Sequence, residues 1–329
     1  MSPRFKIPGL ILLGLLLNAA IAQEVPAPAA PAESAAAITL QMTGFAQDLD
    51  VLRRFMGMPE IPGIDIGIRS DLPRDLYFQA MNLWQKADRL LFEVRRTHGS
   101  LLQPPIGGIE LADVLPPLHD AHETLRRVMR DLRITPLTLA QEALLQTENS
   151  QTLFNRLLML NRQLDALLER HFAPQDVYME ITLATAYASR LLSRYPEVDE
   201  IPLEPPFVPY RQPVDVYQRL MDCLATIIRI FHTLNLPVLA IDARPTAPDR
   251  LTPGDVFAVA SLIVSQLDFL YQQLGIAIPP PQPIYPGLKF PAHSYQRAGI
   301  LQAQLEQLER HAPVRRSGDA GDESARPTR

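Results

Sequence analysis

The residues best placed to do chemistry are His119, His122 and Glu123, in the run His119-Asp120-Ala121-His122-Glu123. Side chains three or four positions apart share a helix face. Both imidazoles could then meet one metal ion, with Asp113 or a partner helix completing the shell. That would make a metal-assisted hydrolase using His119 and His122 one candidate function. The spacing is not that of a zincin, and there is no second histidine pair. Facing Glu and Glu-x-x-His pairs, which di-metal carboxylate bundles need, are also missing. A polar helix shoulder is the default reading. The chain has no Cys-x-x-Cys-His haem site, no Gly-rich phosphate loop and no Gly-x-Ser-x-Gly elbow. We expect no cofactor and no enzymatic activity. The single cysteine, Cys223, excludes an internal disulfide and falls on an apolar helix column, as a buried thiol would.

What must position these residues is a set of helices with a common start. The motif Pro-x-Asp-(Val/Leu)-(Tyr/Phe) occurs at Pro73–Tyr77, Pro174–Tyr178, Pro213–Tyr217 and Pro253–Phe257. With its Asp as position zero, apolar residues fall at +1, +2, +5, +8, +12, +15 and often +16, on one face of an α-helix. Weaker copies of the template start at Ala37, Asp113, Thr152 and His293. Proline suits the first helical position, where no N–H is needed. The Asp then falls at the third, where its carboxylate can accept the N-cap N–H and face the positive end of the helix. Asp75, Asp176, Asp215 and Asp255 are accordingly read as helix caps. The repeat aromatics Tyr77, Tyr178, Tyr217, Phe257 and Tyr295 are read as core wedges rather than a ligand groove.

The intervals between zero positions are 38, 38, 39, 24, 39, 40 and 38. The short one divides the chain into two four-helix units, 37–171 and 172–311, offset by 139 to 142 residues. Glu60-Ile61-Pro62 and Glu200-Ile201-Pro202 match across that offset. We expect an all-α, internally duplicated helical-repeat array, its two units joined by an antiparallel hairpin at 168–174. Pro196 to Pro213 and Pro279 to Pro291 each hold six prolines and cannot be helix interiors. Such segments are long enough to run back along a helix as straps, leaving consecutive helices parallel. A period near 40 resembles that of helical repeat arrays in general, but the motif matches neither the tetratricopeptide nor the HEAT consensus.

Residues 1–22 read as a secretory signal: Arg4 and Lys6, an apolar run, then Ala20-Ile21-Ala22 before Gln23. Its cleavage would place the chain in the periplasm or outside the cell. Residues 23–36 read as an Ala/Pro-rich linker and 312–329 as a disordered polar tail. No transmembrane segment is expected in the mature chain. The net charge is −5, or −7 without Arg4 and Lys6. With its basic residues dispersed, the chain lacks the footprint for nucleic acid. The leading expectation is an exported, non-enzymatic scaffold that binds a protein partner or itself, because repeated helices multiply surface. The alternative is a periplasmic carrier holding an apolar small molecule between helices.

Overall fold

The structure, a computed structural model, describes residues 31–99, 102, 105, 107–136, 148–242, 248–276 and 278–311. The signal at 1–22 and the tail at 312–329 lie outside the described residues. Eight α-helices make up most of what is described: α1 (Pro31–Phe55), α2 (Pro73–Arg95), α3 (Leu115–Asp131), α4 (Ser150–Asp165), α5 (Pro174–Leu192), α6 (Pro213–Thr233), α7 (Pro253–Gln273) and α8 (Pro291–His311). The protein is all-α, with one exception. Ile68–Arg69 (β1) and Ala240–Ile241 (β2) form a short antiparallel pair, Ile68 opposite Ile241 and Arg69 opposite Ala240. It ties two connecting segments together. The first helix starts at Pro31 rather than at 37, so the last residues of the expected linker are helical. Their alanines have the highest helix propensity, and Ala35 is buried.

The helices pack in a regular order. α1 and α2 each pack on α3 and α4; α5 and α6 each pack on α7 and α8. Chain neighbours such as α5 and α6 stand diagonally across their bundle. Cross-helix contacts give the directions. Ser294 donates to the Pro174 carbonyl at the start of α8 and α5, and Tyr195 meets His311 past their other ends. Arg95 and Asp131 pair at the ends of α2 and α3. Thr39 accepts the Glu148 N–H, and Thr43, four residues on, accepts from Arg156, eight residues on. Helices within a bundle therefore run parallel. Between bundles the sense reverses: Arg162 near the end of α4 binds Asp255 at the start of α7.

Parallel neighbours require connections that travel the length of a helix. Residues 196–212 run back along α8, where Gln304 donates to the Glu200 carbonyl, Gln296 to the Pro205 carbonyl, and Phe207 meets His293. The 278–290 segment runs back along α5, from Arg190 at the Ile278 carbonyl to Lys289 over the Tyr178 ring. Gly299 seats the first strap, since a Cβ there would lie 2.8 Å from Pro205 Cγ.

The apolar positions of every helix point into these bundles. Leu76, Ala80, Leu83, Ala87 and Leu91 of α2 are buried, as are Val216, Leu220, Cys223, Ile227 and Phe231 of α6. Each large aliphatic side chain so buried contributes roughly 1.5–3 kcal/mol. The helix α7 is buried on nearly every side, because α2 and α4 cover the faces that α5 and α6 leave. It is long and apolar enough to cross a membrane, yet protein surrounds it here.

Candidate functional site

The histidine pair does not converge. His122 is buried between α3 and α1, with Gln41 Nε2 at 3.1 Å from Nδ1 and Asp48 Oδ2 at 2.9 Å from Nε2. Phe45 packs edge-on against the ring. Asp48 also accepts Arg126 Nε at 2.8 Å, so His122 and Arg126 converge on one carboxylate. Both His122 nitrogens are engaged, leaving no lone pair for a metal. His119 is exposed, and Glu123 reaches only Arg126, at 3.7 Å. Side chains three apart diverge by about 60° around a helix. The contact with α1 takes one ring and leaves the other in water. Among the described residues no group of three His, Cys, Asp or Glu is placed to hold a metal. Cys223 is buried, its thiol pushed up by desolvation and so kept from forming a thiolate.

The motif carboxylates divide into two roles. Asp176, Asp215 and Asp255 each accept the N–H three residues back, from Ala173, Gln212 and Thr252, at 2.7–2.8 Å. His293 Nδ1 does the same for Phe290 in α8. Pro174, Pro213, Pro253 and Pro291 surround one point with Val177, Val216, Val256 and Ser294. Four helix N-termini, each worth about half a positive charge, thus meet at one end of the second bundle. Three aspartates offset that charge. Asp75 departs from the capping role read from the sequence. Ser70 Oγ takes the Leu72 N–H, which frees the Asp75 carboxylate to leave its own helix. It accepts Ser70 Oγ at 2.6 Å, Ser265 Oγ at 2.5 Å and Gln266 Nε2 at 2.6 Å, the last two from α7.

Of the aromatics, Tyr77, Tyr217 and Phe257 are buried, and Tyr217 donates to the Ile66 carbonyl at 2.8 Å. Tyr178 and Tyr295 are half-buried and hold cations. Arg219 lies 3.6 Å and Arg211 4.4 Å from the Tyr295 ring centre, and Lys289 lies 4.9 Å from that of Tyr178. These two clamp straps and helices together rather than filling the core.

Asp75 begins a polar stripe along α2 that continues through Gln79, Asn82 and Lys86, all buried. It faces Ala258, Ser261 and Ser265 of α7. Gln79 Nε2 donates to the Ala258 carbonyl at 3.2 Å, and Ser261 Oγ to Asn82 Oδ1 at 3.1 Å. Arg74 joins Gln266 Oε1 and the Pro237 carbonyl, with Phe269 under its guanidinium at 4.1 Å. The contact between bundles is therefore hydrogen-bonded where the bundle cores are apolar. The spacing 75, 79, 82, 86 has the helical period and is visible in the sequence. Read alone, such a stripe signals a solvated face.

Where the stripe ends, a cavity of about 470 Å³ opens between α4, the start of α7 and residues 63–69. Lys86 stands in its wall, only 1% exposed. Its ammonium donates to the Asn161 carbonyl at 3.1 Å and lies 5.0 Å from the Phe172 ring centre. Burial lowers its pKa, while Asp165 and Asp255 act to raise it. Asp165 Oδ1 accepts the Phe172 N–H, and Oδ2 lies where a Cβ on Gly254 would be, at 2.7 Å. Arg162 holds Asp255, and Arg69 holds Asp65 at 2.6 Å. Asn161 Oδ1 and Arg162 Nε are buried with no hydrogen-bond partner. Ile64, Leu158 and Met159 supply apolar wall. Compared with known proteins, the chain matches no family model, no curated protein and no solved structure.

Proposed function

We propose that this is an exported, non-enzymatic interaction protein that binds a protein partner, or a second copy of itself, through the straps of its second bundle. The observation that carries this reading is the row of apolar side chains those straps hold in water. Ile201, Leu203, Phe207 and Tyr210 lie on one, and Ile278, Ile284, Tyr285, Leu288 and Phe290 follow on the other. Leu203, Tyr210 and Ile284 are 96%, 93% and 90% exposed. Exposed apolar surface of this extent generally marks an interaction site. Proline-rich segments anchored to α8 and α5 have little conformational freedom to lose on binding. Internal duplication would explain the architecture: the two bundles share one order of helix neighbours, which supports descent from a single four-helix unit. The signal at 1–22 is proposed to be cleaved after Ala22, which N-terminal sequencing of the exported protein would check by finding Gln23.

The test is a triple variant, Leu203→Ser, Tyr210→Ser, Ile284→Ser. It should melt like the parent, because these side chains bury little. It should lose the partner that crosslinks to the mature protein, or the self-association seen by sedimentation. A monomeric parent without a crosslinked partner, unchanged by the substitutions, rejects the reading. A second reading, a small-molecule carrier, is favoured by the cavity beside Lys86.

A further inference from the structure

Lys86 is a cation taken out of water with one hydrogen bond for its three donors. Among the described residues no carboxylate forms an ion pair with it, although seven other charged side chains are near. Arg69, Arg162, Asp65 and Asp255 are committed to one another in pairs. Asp165 spends one oxygen on Phe172 and presses the other against Gly254. Arg89, also near, is paired with Asp176 at 2.6 Å. A buried donor without a partner is destabilising, more so when it is charged. Two residues that line the same cavity also carry buried polar atoms without a hydrogen-bond partner, the donor Arg162 Nε and the acceptor Asn161 Oδ1. Ile64, Leu158 and half-exposed Met159 add apolar lining. A pocket of this size that pairs apolar walls with a few convergent polar groups has the anatomy of a small-ligand site.

We propose that this cavity binds a small organic carboxylate with an apolar body, its head accepting from Lys86 Nζ and Arg162 Nε and its body lying against Ile64, Leu158 and Met159. A hydroxyl next to the head would donate to Asn161 Oδ1. Binding restores a counter-charge to Lys86.

The probe is octanoate, titrated calorimetrically into the full-length mature protein, with 1-octanol and inorganic phosphate alongside. Octanoate should bind once per chain, 2-hydroxyoctanoate more tightly, and octanol and phosphate at least about tenfold more weakly. Lys86→Met should weaken octanoate by about ten- to a hundredfold, the loss of a charge-assisted hydrogen bond. It should melt no lower than the parent, since it removes an unpaired buried charge. Met159→Trp, at the rim and harmless to folding, should block octanoate too, whereas Leu203→Ser on the distant strap should not. Equal binding of octanol, preference for phosphate, or undiminished octanoate binding by Lys86→Met or Met159→Trp would overturn the proposal.

Discussion

Aspartates at equivalent motif positions carry unequal weight. Asp215 is about a third exposed and makes one capping bond beside Arg211. Asp215→Ala should cost about 1 kcal/mol, as lost caps do. Asp75 is fully buried and accepts from three side chains in two bundles. Asp75→Ala leaves those donors unsatisfied and should cost about 3 kcal/mol or more. Urea denaturation of the two variants checks the ranking; equal costs would mean the carboxylate does not bridge the bundles. Glu180 on α5 supplies a pH dependence. It is half-buried, and desolvation pushes its carboxyl up to about 7 from 4.5. A carboxyl raised in this way binds more protons folded than unfolded. Its contribution is full below pH 4.5 and is lost as pH rises through about 7. Glu180→Gln should flatten that decline, by about 2 kcal/mol across the window. An unchanged stability profile would show the group to be solvated.

Elements meet closely at two glycines. Gly254 lets the start of α7 approach Asp165 at the end of α4; a methyl there would stand 2.7 Å from Oδ2. Backbone fixes the glycine and Phe172 fixes the carboxylate, so neither yields easily. Gly254→Ala should cost about 1–3 kcal/mol, in the range of overpacking. Adding Asp165→Ala should recover part of it, which a double-mutant cycle would detect as coupling. Gly299 plays the same part for the strap over α8, between Pro205 and Arg219. Gly299→Ala should lift that strap, and limited proteolysis would then cut within 196–212 faster than in the parent while α5 to α8 persist. Equal cleavage rates would show the strap is not seated there.

Over the whole molecule, two bundles with parallel helices lie antiparallel to one another. Parallel packing sums the helix dipoles instead of cancelling them. The aspartate caps at the start of α5, α6 and α7 meet that charge at one end, and Arg190 of α5 and Arg310 of α8 sit in last turns at the other. The surface that joins the bundles carries Ser261, Ser265 and Gln266 on α7 rather than leucines. A face of that composition tolerates water. Residues 172–311 expressed alone should therefore associate no more than the whole chain does and stay helical and cooperative in melting, with reduced stability. Aggregation, or helicity without a cooperative transition, would make the bundles one folding unit.

Much of this was legible in one dimension. Helix starts at Pro73, Pro174, Pro213, Pro253 and Pro291, and the apolar columns behind them, follow from local rules: proline fixes the first turn and a period near 3.6 fixes the face. The long connections signalled straps, because proline-rich chain cannot be helix and must reach somewhere. Function was not legible. His119 and His122 share a run of five residues, but α1 draws one into a buried contact with Asp48 and leaves the other in solvent. Nothing in the sequence around Lys86 signals its burial. Only the packing of α4, Phe172 and the start of α7 around the end of that stripe, from residues 75 or more positions away, buries it and leaves a cavity beside it. Periodicity records which side of a helix is apolar. It does not record what will cover the polar side, because that depends on contacts between segments with no local signature of each other.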